Sequence, residues 1–222
     1  MGKKQQQKKG AAPPAKPVGG MAITVGWAVY EVLISQGWDQ EGALASVLVA
    51  RMSPRSGKVA AASYLVDLAC LGVKSTQVMM FKDPTEYAAG LRAHIVHHMP
   101  MAPSNINLAA KIVDTGYQYA ARLGFPPDPI FAQSCYLLEG ANPDAEPTPV
   151  HTGGSDGKPL FINGPNDSVA HVIAQLRRAV GEGNYHFLIG GDPSGMHVLR
   201  DNGGLLPDDD DDLIINHDPD EK

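Results

Sequence analysis

The sequence predicts an α+β fold, a mainly antiparallel sheet built from two β-hairpins and covered on one side by three to four helices. Three observations predict it. ALASVLVARM (43–52) and KVAAASYLVDLACLGV (58–73) are aliphatic and β-branched runs separated by SPRSG, whose Pro, Ser and Gly suit a tight connection. NYHFLIG and MHVLR, joined by GDPSG, carry the same turn chemistry near the end of the chain. Between the pairs lie segments whose apolar residues recur every three or four positions behind recognisable helix starts.

Residues 1–20, rich in Lys, Gln, Pro and Gly, cannot bury enough apolar surface to offset ordering entropy, and the DDDDD run in 207–222 has the same difficulty. Both read as disordered tails around a single domain, 21–206. TVGWAVYEVLISQGW reads as a helix, with Trp27, Tyr30, Leu33 and Ile34 on one stripe and Gly37 to stop it. The first hairpin comes next. Asp83, Pro84 and Glu86 then occupy cap, first-turn and capping-box positions of a helix carrying Tyr87, Leu91, Ile95 and His98 on one stripe, and Pro100 ends it. A second helix runs from near Ser104 through Ile112, Tyr117 and Leu123 to Gly124, where a left-handed residue closes it. FIN (161–163) adds a short strand. Asp167 or Ser168 caps a last helix, with Val172, Leu176 and Val180 on its apolar side and Gly181 at its end.

Composition narrows the class. The hydrophobic content of 43% and charged content of 19% are those of a soluble globular protein. Cys70 and Cys135 sit in apolar contexts, as free thiols of a reducing compartment do, and no disulfide framework is expected. The basic start and the apolar stretch after residue 20 do not make a secretion signal: AAPPAKPVGG separates them and Glu31 interrupts the second. A cytoplasmic location without membrane association is expected. Charge is segregated, since residues 1–20 hold five Lys and no acid, while 207–222 hold seven Asp, one Glu and one Lys. With a net charge of -6 for the whole chain, removing +5 and -7 leaves -4 on the domain. Lys3, Lys4, Lys8, Lys9 and Lys16 are therefore the candidate contacts to a polyanion such as RNA or the ribosome.

The candidate catalytic residue is Asp67, inside YLVDLACLGVK. In a strand it points away from Tyr64, Val66 and Leu68 and shares a face with Leu65 and Ala69. A carboxylate in such surroundings needs a partner, either the backbone or a basic side chain such as Arg51 or Arg55, or else a metal or substrate proton. In the second case Asp114 or Glu139 would support it. His94, His97 and His98 lie on one helix at spacings that place imidazoles on neighbouring turns, a candidate metal site without the zincin glutamate. Cys70 lacks an adjacent base and reads as a small buried hydrophobe. Asp114, Tyr117, Tyr119 and Arg122 share a helix that would place one tyrosine in the core and one at its rim. Neither GxxxxGK[ST] nor GxGxxG after a strand occurs, and no pattern names a cofactor.

Three stretches, ARMSPRSGKVAAASYLVDLACLGVK, DTGYQYAARLGF and DGKPLFINGPND, together resemble a family of uncharacterised bacterial cytoplasmic proteins. That family has an arginine-bearing strand, a YLVDxxCLGVK-like hairpin partner, a GYxYAxxLGF helix and a GP(N/Y)D turn. The resemblance implies a single bacterial domain and carries no activity, cofactor or catalytic residue. Some members add a cysteine-rich metal module that this chain, with two cysteines, lacks. The expected function is a non-catalytic binding module attached to RNA or the ribosome through its basic tail. The alternative is a metal-dependent hydrolase or nuclease using Asp67 with Asp114 or Glu139.

Overall fold

The computed structural model describes residues 24–190 and 196–199, with side-chain placement over 24–189. Five antiparallel strands, β1 (Ala28–Ser35), β2 (Leu44–Met52), β3 (Val59–Asp67), β4 (Gly72–Phe81) and β5 (Met101–Pro103), make a sheet in the order β4-β3-β2-β1-β5. A second sheet pairs β6 (Leu160–Ile162) in parallel with β7 (His186–Gly190), and β7 antiparallel with β8 (Met196–Leu199). The helices are α1 (Pro84–Tyr87), α2 (Ala93–His98), α3 (Ile106–Leu123), α4 (Phe131–Ser134) and α5 (Val169–Val180). The α+β class holds. The GDPSG turn at 191–195 and both charged tails lie outside the described residues.

Expectation and structure part first at β1, a strand where the sequence suggested a helix. Val32 and Ile34 enter the core beneath α3 while Leu33, between them, enters the core on the opposite face. A strand buried on both faces loses its alternation and reads as a continuous apolar run, in which a three-to-four spacing arises by chance. The same fact corrects the one-sided sheet. Val47, Val49, Ala60, Ala62 and Val66 pack with Ala109, Ile112 and Val113 of α3, whereas Leu48, Ala50, Val59 and Ala61 pack with Phe81, Tyr87 and Leu91 on the other side. Strand parity sorts the two sets, and helical segments cover both faces.

The first hairpin forms as expected, its register running from Leu44 opposite Asp67 to Met52 opposite Val59, with the Ser53 N–H donating to the Lys58 carbonyl at 2.9 Å. Its second strand ends at Asp67, not at residue 73, because the chain reverses over 68–71 and returns as β4. Lys74, Ser75, Thr76 and Gln77 hid that strand: their polarity falls on an edge strand, where apolar content is not required.

The helix expected over 84–98 begins as foreseen. Asp83 accepts from the Glu86 N–H at 2.8 Å and Glu86 from the Lys82 N–H at 2.7 Å, a capping box displaced by one residue. It then opens into a wide turn over Ala88–Arg92, with Gly90 at φ -93, ψ -110, before α2. An inserted residue rotates the next helical turns by about 100°. Ile95 still packs against Tyr87 and Leu91, whereas His98, in the last turn of α2, is exposed and not part of the core. Asn105, one residue beyond the expected start, caps α3 by accepting from Asn107 and Leu108 N–H, and Gly124 closes it at φ 84. Arg51, buried in β2, donates to the carbonyls of Trp27 (2.7 Å), Leu137 (2.8 Å) and Glu139, so it binds the loop after α4 to the sheet. Burial draws its pKa down, opposed by Glu139 and Tyr64.

Helix α3 meets the β3–β4 end of the sheet at two glycines. A Cβ on Gly116 would lie 2.4 Å from Val66 Cγ1; one on Gly72, which has φ +67, would lie 2.5 Å from Ala120 Cβ and 2.7 Å from the Gly116 carbonyl. Gly57, in the β2–β3 turn, has φ +68 with nothing within 4 Å. Gly57→Ala should therefore lose about 1 kcal/mol, the left-handed strain alone. Gly72→Ala should lose about 3 kcal/mol or more, since strain and overpacking combine. Urea unfolding of the two variants measures the difference.

Candidate functional site

The turn between β3 and β4 is where the two sheets and the loop 150–164 come together. Leu68 and Ala69 offer carbonyls to the N–H groups of Gly153 and Leu160, each at 3.0 Å. A cleft runs along this junction. One part, about 200 Å³, is lined by Trp38, Asp39, Glu41, His151 and Ser155; the other, about 170 Å³, by Leu44, Asp67, Lys74, Leu160 and Asn163; Gly42 and Ala69 border both. Glu41 accepts from the Ser155 N–H at 2.7 Å, drawing the loop against the β1–β2 turn.

Asp67 is the most deeply placed acid of the cleft, 5% exposed. One carboxylate oxygen accepts from the N–H groups of Ala69 and Cys70, both at 2.9 Å, and the other from Leu71 at 3.1 Å. Its partner is the backbone of the turn, the first of the alternatives that the sequence left open; Arg51 and Arg55 take no part. Burial pushes its carboxyl above the usual range, opposed by these three N–H groups and by Lys74. Lys74 is held elsewhere. Its Nζ lies 2.5 Å from Asp167 Oδ2, with both side chains mostly buried, and that same oxygen accepts from the Gly164 N–H at 2.8 Å. Asp167 thus latches the segment before α5 to the sheet edge, leaving Ser168 as the helix cap.

Cys70 is fully buried among Tyr119, Ala120, Phe161 and Leu176, and burial pushes its thiol up, with Asp67 adding to the effect. A thiol so placed is not a nucleophile. The Tyr119 hydroxyl has no hydrogen-bond partner among the described residues, and burial raises its pKa to about 12. Tyr117 packs on Phe131 at the core rim with ring centroids 5.4 Å apart, as the spacing of that helix suggested.

The structure does not bring the candidate carboxylates together. Asp114 accepts from Gln118 Nε2 at 2.8 Å on the exposed side of α3, and Glu139 is exposed after α4 with its carbonyl on Arg51. Neither lines the cleft with Asp67. The imidazoles of α2 do cluster, His94 to His98 at 4.4 Å and His97 to His98 at 5.2 Å between ring centroids. Among the described residues, no group of three or more His, Cys, Asp or Glu side chains is arranged to hold a metal ion. His186 bonds Asp156 at 2.8 Å, and His197 is paired in register with Ile189. Lys3, Lys4, Lys8, Lys9 and Lys16 lie outside the described residues.

Sequence reasoning missed Trp38, Asp39, Glu41 and His151. Their only signal is that polar residues flank the ends of strands; which loops meet there depends on the sheet pairing. No protein-family model, curated protein or solved structure matches the chain. No described helix is long and apolar enough to cross a membrane.

Asp67→Asn keeps the shape but presents an amide N–H₂ where one oxygen accepted, so a backbone N–H of the turn loses its acceptor. The variant should unfold about 1–3 kcal/mol more easily. Thermal unfolding with Mg²⁺, Mn²⁺ or Zn²⁺ should leave that difference unchanged, because three backbone donors occupy the carboxylate and, among the described residues, no group of three or more ligating side chains is arranged to hold a metal ion. A metal-dependent gain confined to the wild type would instead make Asp67 a ligand.

Proposed function

We propose that this protein is a non-catalytic binding module whose basic N-terminal segment engages RNA, free or in the ribosome. One observation carries the non-catalytic part. Asp67, the acid on which a hydrolase would depend, gives both oxygens to backbone N–H groups, and its intended supporters Asp114 and Glu139 lie apart from the cleft. A general base needs a lone pair directed at substrate, and three of the roughly four acceptor sites of this carboxylate are directed at the turn. The buried cation, Arg51, is likewise engaged with three carbonyls.

The charge distribution supports the choice of partner. Five lysines without an acid in residues 1–20 stand against a domain of net charge -4, so a polyanion gains contacts only at that end. Lysines so placed act by counterion release, which is indifferent to sequence and sensitive to salt.

Fluorescence anisotropy with a labelled U₂₀ oligonucleotide tests the reading. The log of the affinity should fall against the log of salt concentration with a slope of about -3.5, as expected when five cations neutralise single-strand phosphates. Replacing Lys3, Lys4, Lys8, Lys9 and Lys16 by Ser in the full chain should remove the binding and its salt dependence. Binding that survives the replacement, or ignores salt, rejects the RNA assignment.

A further inference from the structure

We propose a second binding site, on the face of the large sheet opposite α3, that takes a neutral polyhydroxylated molecule of monosaccharide size. The sheet face covered by α1 and α2 changes character along its strands. At one end it presents Ala50, Val59, Ala61 and Phe81 to Tyr87 and Leu91. Further along, the same parity brings Ser46 on β2, Ser63 on β3, and Ser75 and Gln77 on β4 into one patch, with Leu65 among them. Ser46 stands opposite Leu65, Leu65 opposite Ser75, and Ser63 opposite Gln77. The helical segment stops short of covering this patch, and His94 and His98 overhang a concavity of about 350 Å³. That volume is within the range of small-molecule sites.

The polar groups here are unsatisfied by the protein. Among the described residues the Ser46, Ser63 and Ser75 hydroxyls and the Gln77 amide bond no other protein group, and they reach solvent at the concavity: Ser63 and Ser75 are half-buried and Gln77 is exposed. Water satisfies these groups in the free protein, so a ligand that displaces it must both donate and accept hydrogen bonds there. His98 Nδ1 donates to the His94 carbonyl at 2.7 Å, which leaves Nε2 without a protein partner among the described residues.

The lining chooses the ligand class. Hydroxyls and a carboxamide both donate and accept, the neutral imidazole accepts, and no Lys, Arg, Asp or Glu lines the concavity. An anion would find no fixed cation and a cation no carboxylate. A ligand whose hydroxyls both donate and accept matches every group present, while Leu65, Ile95 and Met99 supply contact to its carbon skeleton.

Titration of the full-length protein with D-ribose, D-glucose and, separately, inorganic phosphate, followed through the side-chain NMR signals of His94 and His98, tests the assignment. At least one of the sugars should shift both imidazoles saturably. Ser63→Leu, which fills the concavity without touching the packed end of the sheet, should abolish the shift while the amide spectrum elsewhere keeps its folded dispersion. Ser46→Ala should weaken the affinity about tenfold, the loss of one buried hydrogen bond. Absence of a saturable sugar shift in the wild type, a response to phosphate alone, or sugar shifts that persist in Ser63→Leu would each overturn the proposal.

Discussion

The carboxylate of Asp67 is the point on which the two halves of the molecule depend. Its two oxygens accept three consecutive backbone N–H groups and so reverse the chain in four residues, without the Pro or Asn-Gly that usually marks a reversal. From that reversal comes β4, and β4 brings Gly72 to within touching distance of α3 and Lys74 to the Asp167 that starts the second α/β unit. The carbonyls of Leu68 and Ala69, exposed by the same turn, receive the N–H groups of Gly153 and Leu160 that lay the small sheet beside the large one. A buried charge is costly, and here three oriented N–H dipoles and a nearby lysine offset the cost locally.

That local solution also shapes the electrostatics of the cleft. The groups that would be reactive are engaged in structure: Asp67 with the turn, Lys74 with Asp167, Arg51 with three carbonyls, Cys70 sealed among aromatic and aliphatic side chains. The serine-bearing face of β2, β3 and β4 lies apart from these groups, beneath α2.

Sheet coverage explains the pattern of packing. A central strand such as β3, with helices on both faces, is small or aliphatic over most of its length, and VAAASYLVD has three alanines in a row. Those alanines allow close approach, and the polar serines begin where helical cover ends. Beyond the wide turn at Gly90, Ile95 returns to the apolar cluster while His94 and His98 line the concavity.

Features with local causes are written in the amino-acid sequence. Asp83 with Glu86, Gly124 and Gly181 mark helix ends through backbone groups a few residues away, and the SPRSG turn sets the β2–β3 register through contacts of the same range. The need of Asp67 for a partner was legible too, since burial cost comes from its apolar neighbours. Matters that depend on the far side of the sheet were settled by folding alone. The strand identity of 28–35, the existence of polar β4, the exposure of His98 and the grouping of Ser46, Ser63, Ser75 and Gln77 are each set by which strands pair and how much of each face is covered. Hydrogen bonds and packing between residues distant in the chain carry no signature in the spacing of either partner, and so they become visible only when the chain is folded.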